Sequence, residues 1–327
     1  MQQLRSAALS DHFDGERFFN PGVSIRRGFG EFLRWQFSRQ RPVWPDWIAD
    51  DPPPLPAPPR RGEIAATYIG HATLLLRFAG FAVLTDPIFS WRASPVSFAG
   101  PKRVRAPALA VDALPKIDAI CLSHNHYDHM DLPSLPQLRQ RFPAAPIVTG
   151  LGNGAYLAAK GIGNTIELDW WERAEPVPGL RISYVPVQHW SRRRFGDTNR
   201  MLWGGHVIEA QGARAFFAGD TGYPGQFQAI RARLGAPDLA LLPIGAYEPR
   251  WFMAPQHMNP EEAVRAHRDL GARLSIAMHF ATFCMTDEAF DAPQAALAAA
   301  RRALGVDDSA FRIPAFGETI IAGTSAK

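Results

Sequence analysis

The sequence predicts a layered α/β body with its helices on the outside. Three observations carry this. Short apolar runs, partly β-branched, end at Gly or Asp-Pro. Segments with explicit helix start and stop signals lie between some of them. The 327 residues are 46% apolar and 20% charged, a balance that buries a real core in one large domain or two small ones.

In chain order, residues 28–48, GFGEFLRWQFSRQRPVWPDWI, combine aromatics with Arg. Their apolar spacing is not cleanly helical. They read either as a segment for a membrane surface or partner, or as an arm packing its Phe and Trp on the main body, and the second reading is preferred. Residues 51–59, DPPPLPAPP, read as an extended spacer, because proline removes donors and fixes the backbone. The expected organisation is an N-terminal arm (1–50), a Pro-rich linker (51–60) and one hydrolase domain (61–322).

After the linker, IAATYIG, TLLLRFAG and FAVLTDP form a strand meander from residue 64 onward. AICLS (119–123), ISYVPV (182–187), ARAFFAG (213–219), LALLPIG (239–245) and LSIAMHF (274–280) read as further strands. The clearest helix is NPEEAVRAHRDLG: Asn259 caps it, Pro260 takes the first position, acids fill the first turn and Gly271 stops it. YPGQFQAIRARLG (223–235) and DAPQAALAAARRALG (291–305) are also helical in pattern.

Formal net charge is +4, with a sequence pI of 9.3 and Arg far in excess of Lys. That suits phosphate groups or an anionic membrane surface, points only weakly to nucleic acid, and fits a solvated basic face better still, so no nucleic-acid partner is expected. Two cysteines, Cys121 and Cys284, form no disulfide framework and fit a reducing compartment. The N-terminus lacks a signal-peptide run, and no stretch approaches the ~18 apolar residues of a membrane span. The expectation is a soluble, cytoplasmic chain, at most peripheral at the inner membrane face.

The chemistry collects at SHNHYDHMD, residues 123–131, where His124, His126, Asp128 and His129 follow a strand exit. His189 follows ISYVPV, Asp220 follows ARAFFAG and His279 follows LSIAM. Strand exits in a layered sheet can share one edge, so these seven donors can meet. Five histidines and two aspartates are too many for one tetrahedral zinc and suit two adjacent metals. His124 and His126, two apart, can aim the same way; Asp128 and His129 can address a second ion; Asp220 can bridge. Two divalent ions carry four positive charges, and two carboxylates with one hydroxide remove three. The centre stays positive, favours an anionic substrate, and lowers the pKa of bound water. Imidazole and carboxylate suit zinc best, with iron or manganese as alternatives. His12, His206 and His267 read as packed rather than ligating.

The wider stretches YIGHATLLL, LTDPIFSWRASP, GPKRVR, LSHNHYDHMD, IELDWWE, QHW, FFAGDTGY, PIGAYEPRWFM and QHMNPEEAVRAH extend the motif. Together, from about residue 60 to about 318, they resemble the N-acylphosphatidylethanolamine-hydrolysing phospholipase D family of the metallo-β-lactamase fold superfamily. The resemblance implies an αβ/βα four-layer sandwich of two mixed sheets flanked by helices, two zinc ions and a homodimer. It also implies hydrolysis of the phosphodiester of an N-acylated glycerophospholipid to phosphatidic acid and an N-acylethanolamine. It places His124, His126, His189 and Asp220 on the first metal, and Asp128, His129, Asp220 and His279 on the second. Asp128, Asp220 and His257 would be the catalytic residues, with His257 near the scissile phosphate. His257 also lies just before a helix N-terminus, where anions are favoured. Residues before 60 do not follow the animal enzymes, and the Ala, Arg and Pro bias has a bacterial look.

Asp86 and His71, at turns of the meander, read equally as orienting groups for ligand histidines or as a turn Asp and a buried His. Tyr127 and Tyr223 either reach the substrate or pack. Trp170, Trp171, Trp190 and Trp251 read as core and wall residues, and Cys121 as a buried, unreactive strand residue. Two other functions compete with phosphodiester hydrolysis. One is a lactonase or other carbonyl hydrolase on the same scaffold. The other is a non-catalytic metal-binding protein whose basic arm contacts membrane.

Overall fold

A computed structural model describes residues 10–323 apart from Ser24, Arg26, Arg27, Gln40, Arg41 and Pro224. The leader reading of the first nine residues lies outside these. Fourteen strands among the described residues form two seven-stranded sheets. The first runs, in spatial order, β14 (Thr319–Gly323), β1 (Glu63–Gly70), β2 (Thr73–Phe78), β3 (Phe81–Thr85), β4 (Ala119–Cys121), β5 (Ile147–Gly150) and β6 (Thr165–Leu168). The second runs β13 (Phe311–Arg312), β12 (Leu274–Met278), β11 (Leu239–Pro243), β10 (Ala213–Phe217), β9 (Gly205–Ala210), β8 (Leu180–Val185) and β7 (Arg173–Val177). In both sheets an antiparallel half gives way to a parallel half. The helices are α1 (Phe29–Ser38), α2 (Ser134–Arg141), α3 (Asn153–Ala158), α4 (Gln226–Leu234), α5 (Arg250–Met253), α6 (Pro260–Leu270) and α7 (Ala292–Leu304).

Side-chain alternation produces the layers. Along the first sheet Leu74, Leu76, Val83, Ala119, Cys121 and Val148 join the core shared with the second sheet. Their neighbours Leu75, Ala82, Leu84, Ile120, Leu122 and Ile147 join a separate core with Leu135 and Leu138 of α2 and Leu157 of α3. Strands covered on both faces read as unbroken apolar runs, which is why LLL and LALL lack polar alternation. On the far side, α6 lays Ala263, Val264, Ala266, His267 and Leu270 against the second sheet. Its ends form as the sequence predicts: Asn259 Oδ1 accepts from Glu262 N (2.8 Å), Glu262 Oε2 accepts from Asn259 N (2.9 Å), and Gly271 closes the helix at φ 61°. Such a cap contributes about 1 kcal/mol.

Several expectations are corrected. Residues 29–38 are a helix despite irregular apolar spacing, held at the start by Gly28 N donating to Glu31 Oε2 (2.8 Å). Helix α4 starts at Gln226, not Tyr223. Strands β5, β6, β7, β9, β13 and β14 and helices α2 and α3 carry no clear local signal. Among these, β7 lies at a sheet edge, where its Pro176 is tolerated and its polar residues face water.

The described residues between 10 and 50 lie on the body. Trp35 stacks on Phe252 (5.0 Å between centroids) and donates Nε1–H to Asp287 Oδ2 (2.9 Å), while Trp44 Nε1–H donates to the Glu288 carbonyl (3.1 Å). Asn20 Nδ2 donates to the carbonyl oxygen of His189 (2.8 Å), so the arm touches a predicted ligand directly. The proline-rich stretch forms neither helix nor strand, and its Pro56 carbonyl accepts from Arg77 (2.8 Å).

His12 anchors the start of the arm. It stacks on Trp170 (4.3 Å) and places its ring nitrogens 2.7 Å from Asp169 and 2.6 Å from Asp11. Burial pulls its pKa down, but the hydrogen bonds to Asp169 and Asp11 outweigh that and raise it above 6.5. A raised histidine stabilises fully below the unfolded-state pKa and loses its contribution as pH rises through the folded value. Residues 10–20 are therefore expected to be better protected from hydrogen exchange at mildly acidic than at alkaline pH, after correction for intrinsic rates. His12→Ala should remove that difference; an unchanged profile in the variant would refute the assignment.

Candidate metal centre

All the functional segments leave the C-terminal ends of strands that point the same way. In the first sheet His71 follows β1, Asp86 follows β3, and the 124–129 stretch follows β4. In the second, His189, Asp220 and His279 follow β8, β10 and β12. The sheets meet at this edge: Tyr184 Oη donates to the Ser123 carbonyl (2.7 Å), as does Gly204 N (3.0 Å). Two glycines permit the approach. A Cβ on Gly219, at φ 60°, would lie 2.5 Å from Ser123 Cβ, and one on Gly245 would lie 2.0 Å from the His279 carbonyl.

The seven predicted donors converge. His126 Nδ1 lies 2.9 Å from His124 Nε2 and 3.2 Å from His189 Nε2. Asp220 Oδ2 is 3.1 Å from His129 Nε2 and 4.0 Å from His189 Nε2, and its Oδ1 is 3.2 Å from His279 Nε2. Asp128 Oδ2 is 3.1 Å from His129 Nε2 and 3.3 Å from His279 Nε2. Asp220 thus stands between the two halves. His257 joins from the loop before α6, with Nδ1 3.8 Å from Asp220 Oδ2.

Comparison with known proteins decides the family. A β-lactamase superfamily domain matches residues 82–280. The chain belongs to the β-lactamase superfamily. It is 42% identical to N-acyl-phosphatidylethanolamine-hydrolyzing phospholipase D 1 of Caenorhabditis elegans over 67% of this chain and 64% of that protein. An uncharacterized Mycobacterium tuberculosis protein is 41% identical over 76% of this chain and 68% of its own. The isothiocyanate hydrolase from Delia radicum gut bacteria has a similar fold, with TM-score 0.61, 26% identity, and coverage of 78% of this chain and 98% of that one. The resemblance read from the motifs holds, as does the sandwich of two mixed sheets flanked by helices. The chain spans 64% of the nematode relative's length.

The residues of this β-lactamase-superfamily site fit divalent cations. His71, Asp128, His129 and His279 bring ligand atoms within 4.8 Å of one another, as do His124, His126 and His189, and His189, Asp220 and His257. The buried atoms His257 Nδ1 and Asp220 Oδ1 have no hydrogen-bond partner, a costly state for polar atoms unless a cation takes them. Burial pushes His124 and His126 well below the usual range and His189 to about 4, so these rings are neutral and ready to donate lone pairs. At His129 and His279 burial is outweighed by Asp220 and Asp128; His129 is held well above 6.5 and His279 at about 9. The same contacts overcome burial at the aspartates and keep Asp128 and Asp220 well below 3.8. The carboxylates demand nearby positive charge, which cations satisfy more fully than two imidazolium rings.

Orienting bonds surround the donors. Asp86 accepts from His129 Nδ1 (2.6 Å) and from Ser123 N (2.7 Å), while Ser123 Oγ lies 2.9 Å from His124 Nδ1. His189 Nδ1 donates to the Gln256 carbonyl (3.0 Å). The sequence reading missed Ser123 and Arg193. Arg193 Nη1 donates to the carbonyls of Asn125 (3.0 Å) and Met130 (2.8 Å), bracing the motif from beneath, and its guanidinium covers Tyr127 at 3.9 Å. Adjacency to the motif was the only available signal for Ser123, and Arg193 had none. Tyr127 and Tyr223 pack: Tyr127 Oη donates to the Arg193 carbonyl and Tyr223 Oη to Asp269 (2.7 Å). Trp190 walls the site 4.6 Å from His126, Trp170 is core, Trp171 carries Arg233 at 4.1 Å, and Trp251 is partly exposed beneath Arg34. Cys121 is fully buried, its thiol pushed well up by burial. His206 and His267 pack, bonded to the Val148 carbonyl (3.2 Å) and Ser275 Oγ (2.8 Å).

Proposed function

We propose that this chain hydrolyses a phosphodiester of a glycerophospholipid at a two-cation centre, in a phospholipase D-type reaction on an N-acylated ethanolamine headgroup. The convergence of seven donors from both sheets, with Asp220 between the halves, carries this reading, and the phospholipase D-named relative supports the substrate class. His124, His126, His189 and Asp220 would hold one cation, and Asp128, His129, His279 and Asp220 the other, with zinc the best match to the donor types. Bound cations would supply a nucleophilic water near neutral pH and polarise a phosphoryl oxygen. The protein orients the donors and excludes water. His126 and His257 are the members of the cluster that keep some solvent contact, so the substrate enters on their side.

A metal-stripped sample is assayed on an N-acylated phosphatidylethanolamine, a chromogenic phosphodiester and a lactone, before and after zinc or manganese is restored. Metal-restored cleavage of both diesters is expected. Cleavage of the lactone alone would establish the carbonyl-hydrolase reading, and full diester cleavage without metal would remove the centre from the reaction.

The lipid would be met at a bilayer surface, as a peripheral contact. No helix among the described residues is long and apolar enough to cross a membrane. Phe37 (87% exposed) of α1, Phe98 (82%) in the segment that follows β3 and Phe195 (98%) in the segment that follows β8 are open to solvent, with Arg192 and Arg194 next to Phe195 in sequence. Aromatics with flanking Arg suit an anionic lipid interface. Sedimentation with anionic vesicles is expected, and Phe98→Asp with Phe195→Asp should reduce it severalfold. Equal sedimentation of wild type and variant would reject this face.

A further inference from the structure

We infer that His71 is a positioning residue for the half of the cluster built on Asp128 and His279, although it lies outside the seven-donor set. The inference rests on the two-cation reading. His71 sits in the turn between β1 and β2 at φ 57°, a left-handed value that strains a residue bearing a Cβ. Asp86 (φ 28°) and His279 (φ 62°) share this property at the same edge. A residue retained at such a φ needs compensating contacts, and His71 makes three hydrogen bonds, one through its ring and two through its main chain.

Its Nε2 lies 2.9 Å from Asp128 Oδ2, nearer than the nitrogen of either His129 or His279. Its carbonyl oxygen accepts from His279 N (2.9 Å), and its N–H donates to Thr282 Oγ1 (3.0 Å). The ring is 4.0 Å from the His279 ring, and Phe283 closes its other side edge-on at 5.2 Å. One residue of the first sheet therefore grips one donor through its ring and, through its main chain, a second donor that belongs to the other sheet. Donation of the Nε2 proton to Asp128 fixes the rotation of that carboxylate. A direct ligand would instead need a lone pair at Nε2, and an amide N–H could not replace it.

The difference between donor and ligand sets the test. Full-length apo protein is titrated with Zn²⁺ for affinity and stoichiometry and with Co²⁺ for its visible spectrum. His71→Asn tolerates the left-handed backbone, but its amide reaches only the Nδ1 position. His71→Gln places an amide donor near the Nε2 position. Wild type should bind two cations. The Asn variant should keep the first and bind the second about 10- to 100-fold more weakly. The Gln variant should recover most of that loss with a wild-type Co²⁺ spectrum.

Two tight cations in the Asn variant would overturn the inference, as would equal impairment of Asn and Gln, which would make His71 a ligand. If the Asn variant does not fold, Gln decides alone: retained two-cation binding supports the role and loss overturns it. A wild type that binds one cation ends the two-cation reading and this inference with it. Wild type and Asn variant both binding two tightly end only the inference.

Discussion

Asp220→Asn is expected to lower metal-dependent diester turnover by about a thousandfold or more and to release cation from the centre. Asp220 approaches nitrogens of His129, His279, His189 and His257 at 3.1 to 4.0 Å, more partners than any other donor in the cluster. It is the one carboxylate placed to serve both halves. An amide keeps the shape but removes the negative charge and one acceptor oxygen. Metal-ion catalysis supplies several kcal/mol of transition-state stabilisation, and each 1.36 kcal/mol is about tenfold in rate. Turnover on the chromogenic diester and elemental analysis of the same preparation check this. A variant with full metal content and near-normal turnover would remove Asp220 from the proposed cation centre.

His257→Ala is expected to behave differently: kcat falls by about 100-fold or more while metal content and melting temperature stay near wild type. His257 lies at the mouth with a 12% exposed side chain, its Nδ1 unpartnered and 3.8 Å from Asp220. Burial, only partly countered by Asp220, lowers its pKa to about 3. The ring is therefore neutral through the neutral range, which favours a hydrogen bond to substrate over delivery of a proton to the leaving group. The wild-type pH profile should accordingly show no limb near 6.5 that His257→Ala abolishes. Loss of cation in His257→Ala would instead make it a ligand, in line with its grouping with His189 and Asp220.

Much of this was legible in the chain. The run His124-x-His126-x-Asp128-His129 announces its chemistry without a fold, because donor type and spacing are local. Strands β1 to β4, β10, β11 and β12 were legible because burial on both faces makes them largely apolar runs, and β8 because Ile182, Tyr184 and Val185 cluster despite the exposed Arg181. The caps of α6 were legible because Asn259, Pro260, Glu262 and Gly271 act on their immediate neighbours. Edge strands such as β7 and the amphipathic α1 were not, since their stability comes from what they pack on rather than from their own pattern.

Ambiguous residues were resolved by partners far away in sequence. Asp86 was evenly balanced between turn former and orienting group until β3 and β4 were seen side by side, with His129 2.6 Å from its carboxylate. Tyr223 lost its substrate role to Asp269, 46 positions away. Asn20 carried no signal, yet the arm returns it to the carbonyl of His189.

By itself the sequence determined the chemical inventory: which side chains can bind cations, that each follows an apolar strand, and that the chain forms a layered α/β body. These properties are set by residue type and short-range periodicity. Only the tertiary structure decided that the exits of β4, β8, β10 and β12 share one edge, that Asp220 stands between the two halves, and that His71 and Asp86 lie within hydrogen-bond distance of Asp128 and His129. Those facts depend on strand order and on the packing of two sheets through a common core, which no local stretch encodes.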